Sequence, residues 1–270
     1  MKKLKLILPF LIVGWQLTSA QTVKKDVAYG DDDKQNFDVY LPQQTKTKTP
    51  AIILIHGGSW TGGDKTNMTH WLKPLQTAFP GDAIFTINYR LASREKMANA
   101  WPTQINDVDA AVTFIKNHAA EYNINTKQLI LLGESAGAQL ALVEGFNHDP
   151  NHNVKVVVDL FGPTDMADLY KAHHELAILM QGTPEKIPAV YADAGVLQHV
   201  SKNSPPTIIF HGTADPVVPI SESDSLSVKL NEARVPFSFI RYKGKGHGWP
   251  EPEMQDTYSK TIAFIKDYLR

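Results

Sequence analysis

The feature that most constrains this chain is Gly133-Glu-Ser-Ala-Gly137, set between an apolar run and a helix-compatible stretch. Gln128-Leu-Ile-Leu-Leu132 reads as a buried strand, and Ala138 to Val143 as the opening of a helix. A serine between glycines at such a junction implies a sharp, strained turn whose neighbouring side chains must be small. The turn lifts the hydroxyl above the end of a sheet, and the following helix points unpaired N–H groups toward it. Ser135 is therefore the candidate nucleophile, and the N–H of Ala136 a candidate oxyanion donor.

A turn of this kind needs a sheet beneath it, and the remaining sequence supplies one. Ala51–His56, Ala83–Ile87, Lys155–Leu160, Thr207–Phe210 and Phe237–Tyr242 are short apolar runs rich in β-branched residues and bounded by Gly, Pro or Asp. Runs of that type suit strands covered on both faces, as in a parallel sheet. Helix-like segments near residues 65–79, 104–120, 136–146, 221–233 and 253–269 separate them. Strand and helix in alternation predict an α/β fold, a mostly parallel sheet with helices on both faces. Val23–Tyr29 and Gln35–Leu41 flank the polar turn Gly30-Asp-Asp-Asp-Lys34 and predict an antiparallel edge hairpin, bringing the sheet to about eight strands. Residues 163–205 break the alternation and are expected to form a small cap of one or two helices above the sheet.

Three further loops carry candidate chemistry. His56-Gly-Gly-Ser-Trp60 follows a predicted strand, where lipases and esterases place part of an oxyanion hole. Gly57, Gly58 and Ser59 are the candidate donors, with Gly58 favoured. Asp215 lies on the loop after the strand Thr207–Phe210, at the strand end where ligands collect in open α/β sheets. It is preferred as the acid over Asp165, which follows the preceding strand; Asp107 and Asp109 read as helix-surface residues. His247, between Gly246 and Gly248, sits on a loop free to approach a serine from another loop. The chain order Ser135, Asp215, His247 differs from those of chymotrypsin-like and subtilisin-like enzymes. His56 and His211 are expected to hold loops by hydrogen bonds, and His118, His148, His152, His199 and the pair His173-His174 to lie on the surface. Trp60, Trp101 and Trp249 are candidate aromatic surfaces for substrate; Trp60 and Trp249 are the two carried forward as substrate-binding.

Composition removes several alternatives. The net charge is −1 and no basic run is present, so no nucleic-acid surface is expected. The absence of cysteine excludes disulfides, thiol catalysis and thiolate metal sites. No metal-ligand spacing such as H-E-x-x-H occurs, and no cofactor or metal is expected. Residues 1–20 read as a signal peptide: Lys2, Lys3 and Lys5, then an apolar stretch to about Trp15, then Thr18-Ser-Ala20 before Gln21. The expectation is a secreted or periplasmic protein in which residues 21–270 form one catalytic domain, with no membrane span after cleavage. The oligomeric state is not legible.

Together these motifs resemble the bacterial α/β-hydrolases grouped as carboxylesterases and lipase-like esterases, especially the bifunctional feruloyl and acetyl xylan esterase family. The resemblance rests also on Phe37-Asp-Val-Tyr-Leu-Pro42, Gly62-Gly-Asp-Lys65 and Asn88-Tyr-Arg-Leu91, and covers nearly the whole chain after residue 20. It departs at Ser59, where many relatives carry a third glycine. It implies an α/β-hydrolase fold and acyl transfer by Ser135, His247 and Asp215 on short-chain or hydroxycinnamoyl esters, with plant polysaccharide as a candidate carrier. Two other readings are a prolyl-oligopeptidase-like peptidase, which usually adds a large gating domain, and a non-catalytic binding protein on the same scaffold.

Overall fold

The structure, a computed structural model, describes residues 22–42, 47–93, 95 and 97–269. The leader read at residues 1–20 lies outside the described residues. The elements run β1 (Thr22–Ala28), β2 (Asn36–Leu41), β3 (Thr49–Ile55), a 3₁₀ segment (Lys65–Trp71), α1 (Leu72–Ala78), β4 (Ala83–Ile87), α2 (Thr103–Asn117) and α3 (Ala119–Tyr122). They continue with β5 (Ile124–Glu134), α4 (Ala136–Asn147), β6 (Val154–Leu160), α5 (Met166–Ala172), α6 (Leu176–Met180), α7 (Pro188–Ala194), β7 (Thr207–Gly212), α8 (Ser221–Glu232), β8 (Phe237–Tyr242) and α9 (Glu253–Tyr268).

The eight strands form one sheet in the order β1-β2-β4-β3-β5-β6-β7-β8. β1–β2 and β2–β4 pair antiparallel, and every other neighbouring pair is parallel. Both faces are buried because β3 to β6 are apolar at odd and even positions alike. Ile53 and Ile55 join Phe37 and Phe85 in the core that packs against α2, α4 and α8. Ile52 and Leu54 join Ile130, Val156, Trp71 and Ile265 in the core beneath the 3₁₀ segment, α1 and α9. Each such side chain, taken fully from water, contributes about 1.5–3 kcal/mol.

The predicted helix at residues 65–79 is two pieces. Asp64 caps the first turn by accepting from Thr66 N, while the Asn67 side chain accepts from Asp64 N. Pro74 has no N–H to continue a ladder begun at Lys65, so regular α-helix restarts at Leu72. The cap holds three short helices, α5 to α7, rather than one or two. It is tied down by Trp101, whose indole N–H donates to Asp193 Oδ2 at 2.9 Å. Trp101 is thereby a buried strut and not a substrate surface. Among the described residues no helix is long and apolar enough to cross a membrane.

The consequence for function is positional. The parallel strands β3, β5, β6, β7 and β8 end along one edge, so the loops carrying His56–Trp60, Ser135, Phe161, Asp215 and His247 converge there.

Candidate active site

Ser135 stands between β5 and α4 with φ 54° and ψ −120°, a backbone conformation that a side chain rarely adopts. The turn closes because its flanks are bare. A Cβ on Gly133 would meet Gly137 O at 2.2 Å, and one on Gly137 would meet Ile55 O at 2.2 Å. Ser135 N donates to Leu160 O at 2.9 Å, which pins the turn to the end of β6.

The three residues singled out by sequence meet across 112 and 32 positions of chain. Ser135 Oγ lies 2.8 Å from His247 Nε2, and His247 Nδ1 lies 2.7 Å from Asp215 Oδ2. The side chain of Asp215 has no exposed surface. Its Oδ1 accepts from Val217 N at 2.8 Å and Val218 N at 3.0 Å, and Oδ2 lies 3.3 Å from His211 Nε2. Burial opposes charge on this carboxyl, but the hydrogen bonds from His211, His247 and the two amides outweigh it and hold it well below the usual carboxylate range. His211 is itself buried, with Nε2 2.9 Å from Val218 O and Nδ1 2.7 Å from Ser223 Oγ. Both bonds form together when Nε2 carries the proton and Nδ1 accepts from Ser223. His211 thus holds the Asp215 loop, as expected. Asp165 does not approach the site: it caps α5, accepting from Ala167 N and Asp168 N.

The glycine loop after β3 reaches Ser135 directly. A Cβ on Gly57 would meet Glu134 O at 2.8 Å and Ser135 Cβ at 3.2 Å, so the loop backbone lies against Ser135. Gly58 (φ +119°), Ser59 (φ 51°) and Trp60 (φ 60°) are all left-handed, and the Gly58 carbonyl accepts from Thr61 N and Gly62 N. Among the described residues the amides of Gly58, Ser59 and Ala136 have no backbone acceptor. The loop is braced from behind by the other quoted motifs. Tyr89 donates to His56 O at 2.9 Å and stacks on the His56 ring at a centroid distance of 4.3 Å. Lys65 is buried against Asp38 and Asp26, and Lys65 N donates to Asn88 Oδ1. Arg90 binds Asp107, which is 1% exposed and not the helix-surface residue its position suggested.

Ser135 opens onto two cavities. One is a pocket of about 80 Å³ under the cap, lined by Trp60, Pro163, Leu169, Leu176, Leu179 and Val218 among others. The second is an open cleft of about 600 Å³ on the other side, lined by Asn67, His70, Glu134, His247, Trp249 and Met254 among others. Trp60 and Trp249 therefore each line one cavity, but both are core residues first. They are 4% and 6% exposed, and their indole N–H groups are spent on Gln139 and Thr257.

Sequence reasoning missed several groups. Phe161, at the end of β6, packs its ring 4.5 Å from that of His247 and 5.4 Å from that of Trp249. The side chain of Glu134 accepts from Trp71 Nε1 at 2.8 Å and from His70 Nε2 at 3.0 Å. Burial pulls the His70 imidazole down, yet the Glu134 bond and charge and the Asn67 carbonyl raise it overall. His173, expected on the surface, lies 2.7 Å from Val217 O by its Nε2 and so links the cap to the Asp215 loop. No local signal marks these: each depends on a partner far away in sequence.

A family model described as BD-FAE matches residues 37–230. Among solved structures, the chain is similar to a "truncated form of carbohydrate esterase from gut microbiota". The two are 30% identical with TM-score 0.80, over 92% of this chain and 96% of that one. It is also similar to a "bifunctional GH43-CE" from Bacteroides eggerthii, 28% identical with TM-score 0.81, over 91% of this chain and 38% of that one. Among curated proteins it is 27% identical to Esterase LipC of Mycobacterium tuberculosis over 247 residues, 84% of this chain. The chain spans 60% of the length of LipC, and 51% of the probable carboxylic ester hydrolase LipM from the same organism.

Proposed function

The chain belongs to the BD-FAE family, and on that premise we propose that it is a serine esterase acting on short acyl esters carried by carbohydrate. The observation that carries the proposal is the Ser135–His247–Asp215 relay, complete at 2.8 and 2.7 Å, opening onto a small pocket.

Ser135 Oγ attacks the ester carbonyl while His247 Nε2 takes its proton. Asp215 fixes the Nδ1–H tautomer and stabilises the imidazolium that forms. The unpaired amides of Ala136 and of the Gly58–Ser59 turn receive the tetrahedral oxyanion, with Gly57 bringing the loop within reach. His247 then returns the proton to the departing alcohol, and water repeats the sequence on the acyl-enzyme. Because the donors are main-chain groups, Ser59 serves where relatives carry glycine. Ser59→Ala is expected to retain wild-type turnover on 4-nitrophenyl acetate, and a collapse of kcat would show that its hydroxyl takes part.

His247 must stand beside the leaving oxygen, and it lines the open cleft but not the pocket. The alcohol therefore leaves through the cleft, and the acyl group occupies the pocket. A cavity of ~150 Å³ holds one benzene ring; this pocket has about half that volume, with Leu169, Leu176 and Leu179 set beside polar Thr61, His173 and Glu175. It suits acetyl and slightly longer chains better than a hydroxycinnamoyl ring. The test is hydrolysis of 4-nitrophenyl acetate, butyrate and octanoate and of methyl ferulate, with Ser135→Ala as control. Rates should be highest at acetate or butyrate, low on octanoate and ferulate, and absent in the control. A maximum at ferulate would overturn the acyl assignment. Cleavage of peptides but not esters would favour the peptidase reading, and inertness of the folded protein the non-catalytic one.

A further inference from the structure

We propose that the alcohol side of the substrate is an extended sugar chain lying across Asn67, His70 and Glu134 and on into the groove between α1 and α9, so that the enzyme prefers esters within a chain. This rests on the esterase reading above and deepens it.

The cleft does not end at His70. The same residue lines a second depression of about 480 Å³, bordered by Lys73, Thr77, Gln255 and Tyr258. Met254 lines the cleft and Gln255 the groove, so the first turn of α9 forms one wall of both. The 3₁₀ segment and α1 form the other. The path from Ser135 is thus continuous, open to solvent, and far larger than the pocket for the acyl group.

Its lining mixes apolar surface with a few placed polar groups, which suits a sugar's C–H faces and hydroxyl edges. Glu134 follows Gly133 in the elbow, so its position is locked to that of Ser135. Its Oε1 is held by Trp71 and His70, and His70 Nδ1 lies 2.9 Å from Asn67 O. Both His70 nitrogens therefore face acceptors, and the ring is a fixed platform, about one third exposed. Glu134 Oε2 and Asn67 Nδ2 have no protein partner among the hydrogen bonds of the described residues. They offer one fixed acceptor and one fixed donor at the cleft wall, and Phe161, Trp249 and Met254 add apolar lining to the same cleft. A fatty alcohol has no use for that pair, and a sugar satisfies it with neighbouring hydroxyls. Along the groove Lys73, Thr77 and Gln255 alternate with apolar Pro74, Tyr258 and Ile262, which suits a sugar chain whose ring faces are C–H and whose edges are hydroxyl.

The test uses the full chain with acetylated xylo-oligosaccharides of two and six sugars, against 4-nitrophenyl acetate as a substrate lacking the sugar. Asn67→Asp keeps the oxygen that caps the 3₁₀ turn and removes the donor. Thr77→Trp fills the groove at an exposed position away from Ser135. Wild-type enzyme should prefer the six-sugar ester. Losing one hydrogen bond or the groove contact should lower its kcat/KM, relative to that on 4-nitrophenyl acetate, by about tenfold. Thr77→Trp should spare the two-sugar ester. Unacetylated xylohexaose should inhibit wild-type hydrolysis of 4-nitrophenyl acetate competitively, and inhibit both variants more weakly. If 4-nitrophenyl acetate is hydrolysed but sugar-chain length has no effect, or both variants keep the wild-type ratio, the groove assignment is wrong while the esterase reading stands. If folded wild type hydrolyses no ester, both fall together.

Discussion

Replacing Asp215 by Asn should lower turnover about 10⁴-fold while the protein stays folded. The reason lies in the four donors around the carboxylate: His247, His211 and the amides of Val217 and Val218. Asn has one oxygen to offer where Asp has two. If that oxygen keeps the two amides, the new N–H₂ faces His247 Nδ1. The imidazole must then carry its proton on Nε2, toward Ser135, and can no longer accept one from the hydroxyl. If the amide flips, its N–H₂ opposes the Val217 and Val218 N–H groups and the loop loses its anchor. Burst and steady-state kinetics on 4-nitrophenyl acetate, with circular dichroism as the check on folding, measure the effect. The parallel variant Asp165→Asn should leave turnover near wild type, since Asp165 caps α5. An Asp215→Asn enzyme with near-normal kcat, or equal losses in the two variants, would sink the assignment of the acid.

The largest effect on stability is expected at Asp107→Ala. Asp107 accepts from Arg90 N, Nε and Nη2 and from Gln35 Nε2. It thereby joins α2 to the loop after β4 and to the edge hairpin. Removing one partner of a buried ion pair costs about 3–5 kcal/mol, because the other charge is left without compensation. Arg90 keeps about one third of its side-chain surface in water, so the low end applies. A loss of about 3 kcal/mol corresponds to a fall in Tm of ~6–12 °C for a domain of this size. Arg90 also leads back to the site, since Asn88 and Tyr89 beside it brace Lys65 and His56. A second measurement follows: activity should be lost at a lower temperature in step with unfolding. A Tm within about 2 °C of wild type would place Arg90–Asp107 among the ion pairs that contribute little.

Local patterns reached far into this protein. Strand positions, the helix after Ser135 and the three residues that meet at its hydroxyl could all be read in sequence. Apolar runs and glycine-flanked turns report backbone needs that are satisfied within a few residues. Gly133 and Gly137 are an instance, since the clashes they avoid belong to the elbow and the strand beside it. The errors fell on side chains whose partners are distant. Asp107 looks like one more charge on an amphipathic helix, and only the approach of Arg90 and Gln35 shows why it is buried. Trp101 and Trp60 have the composition of sugar platforms, yet their indoles tie the cap and α4 into the core.

The sequence alone singled out Ser135, His247 and Asp215, because a serine elbow, a glycine-flanked histidine and a strand-end acid are each defined by their own neighbours. Only the tertiary structure decided what surrounds them. It set Asp215 beside His247 and gave it four donors, and gave Asp165 a helix to cap. It set a small pocket against a large open cleft on either side of Ser135, because loops from five strands and a three-helix cap must close together before either cavity exists.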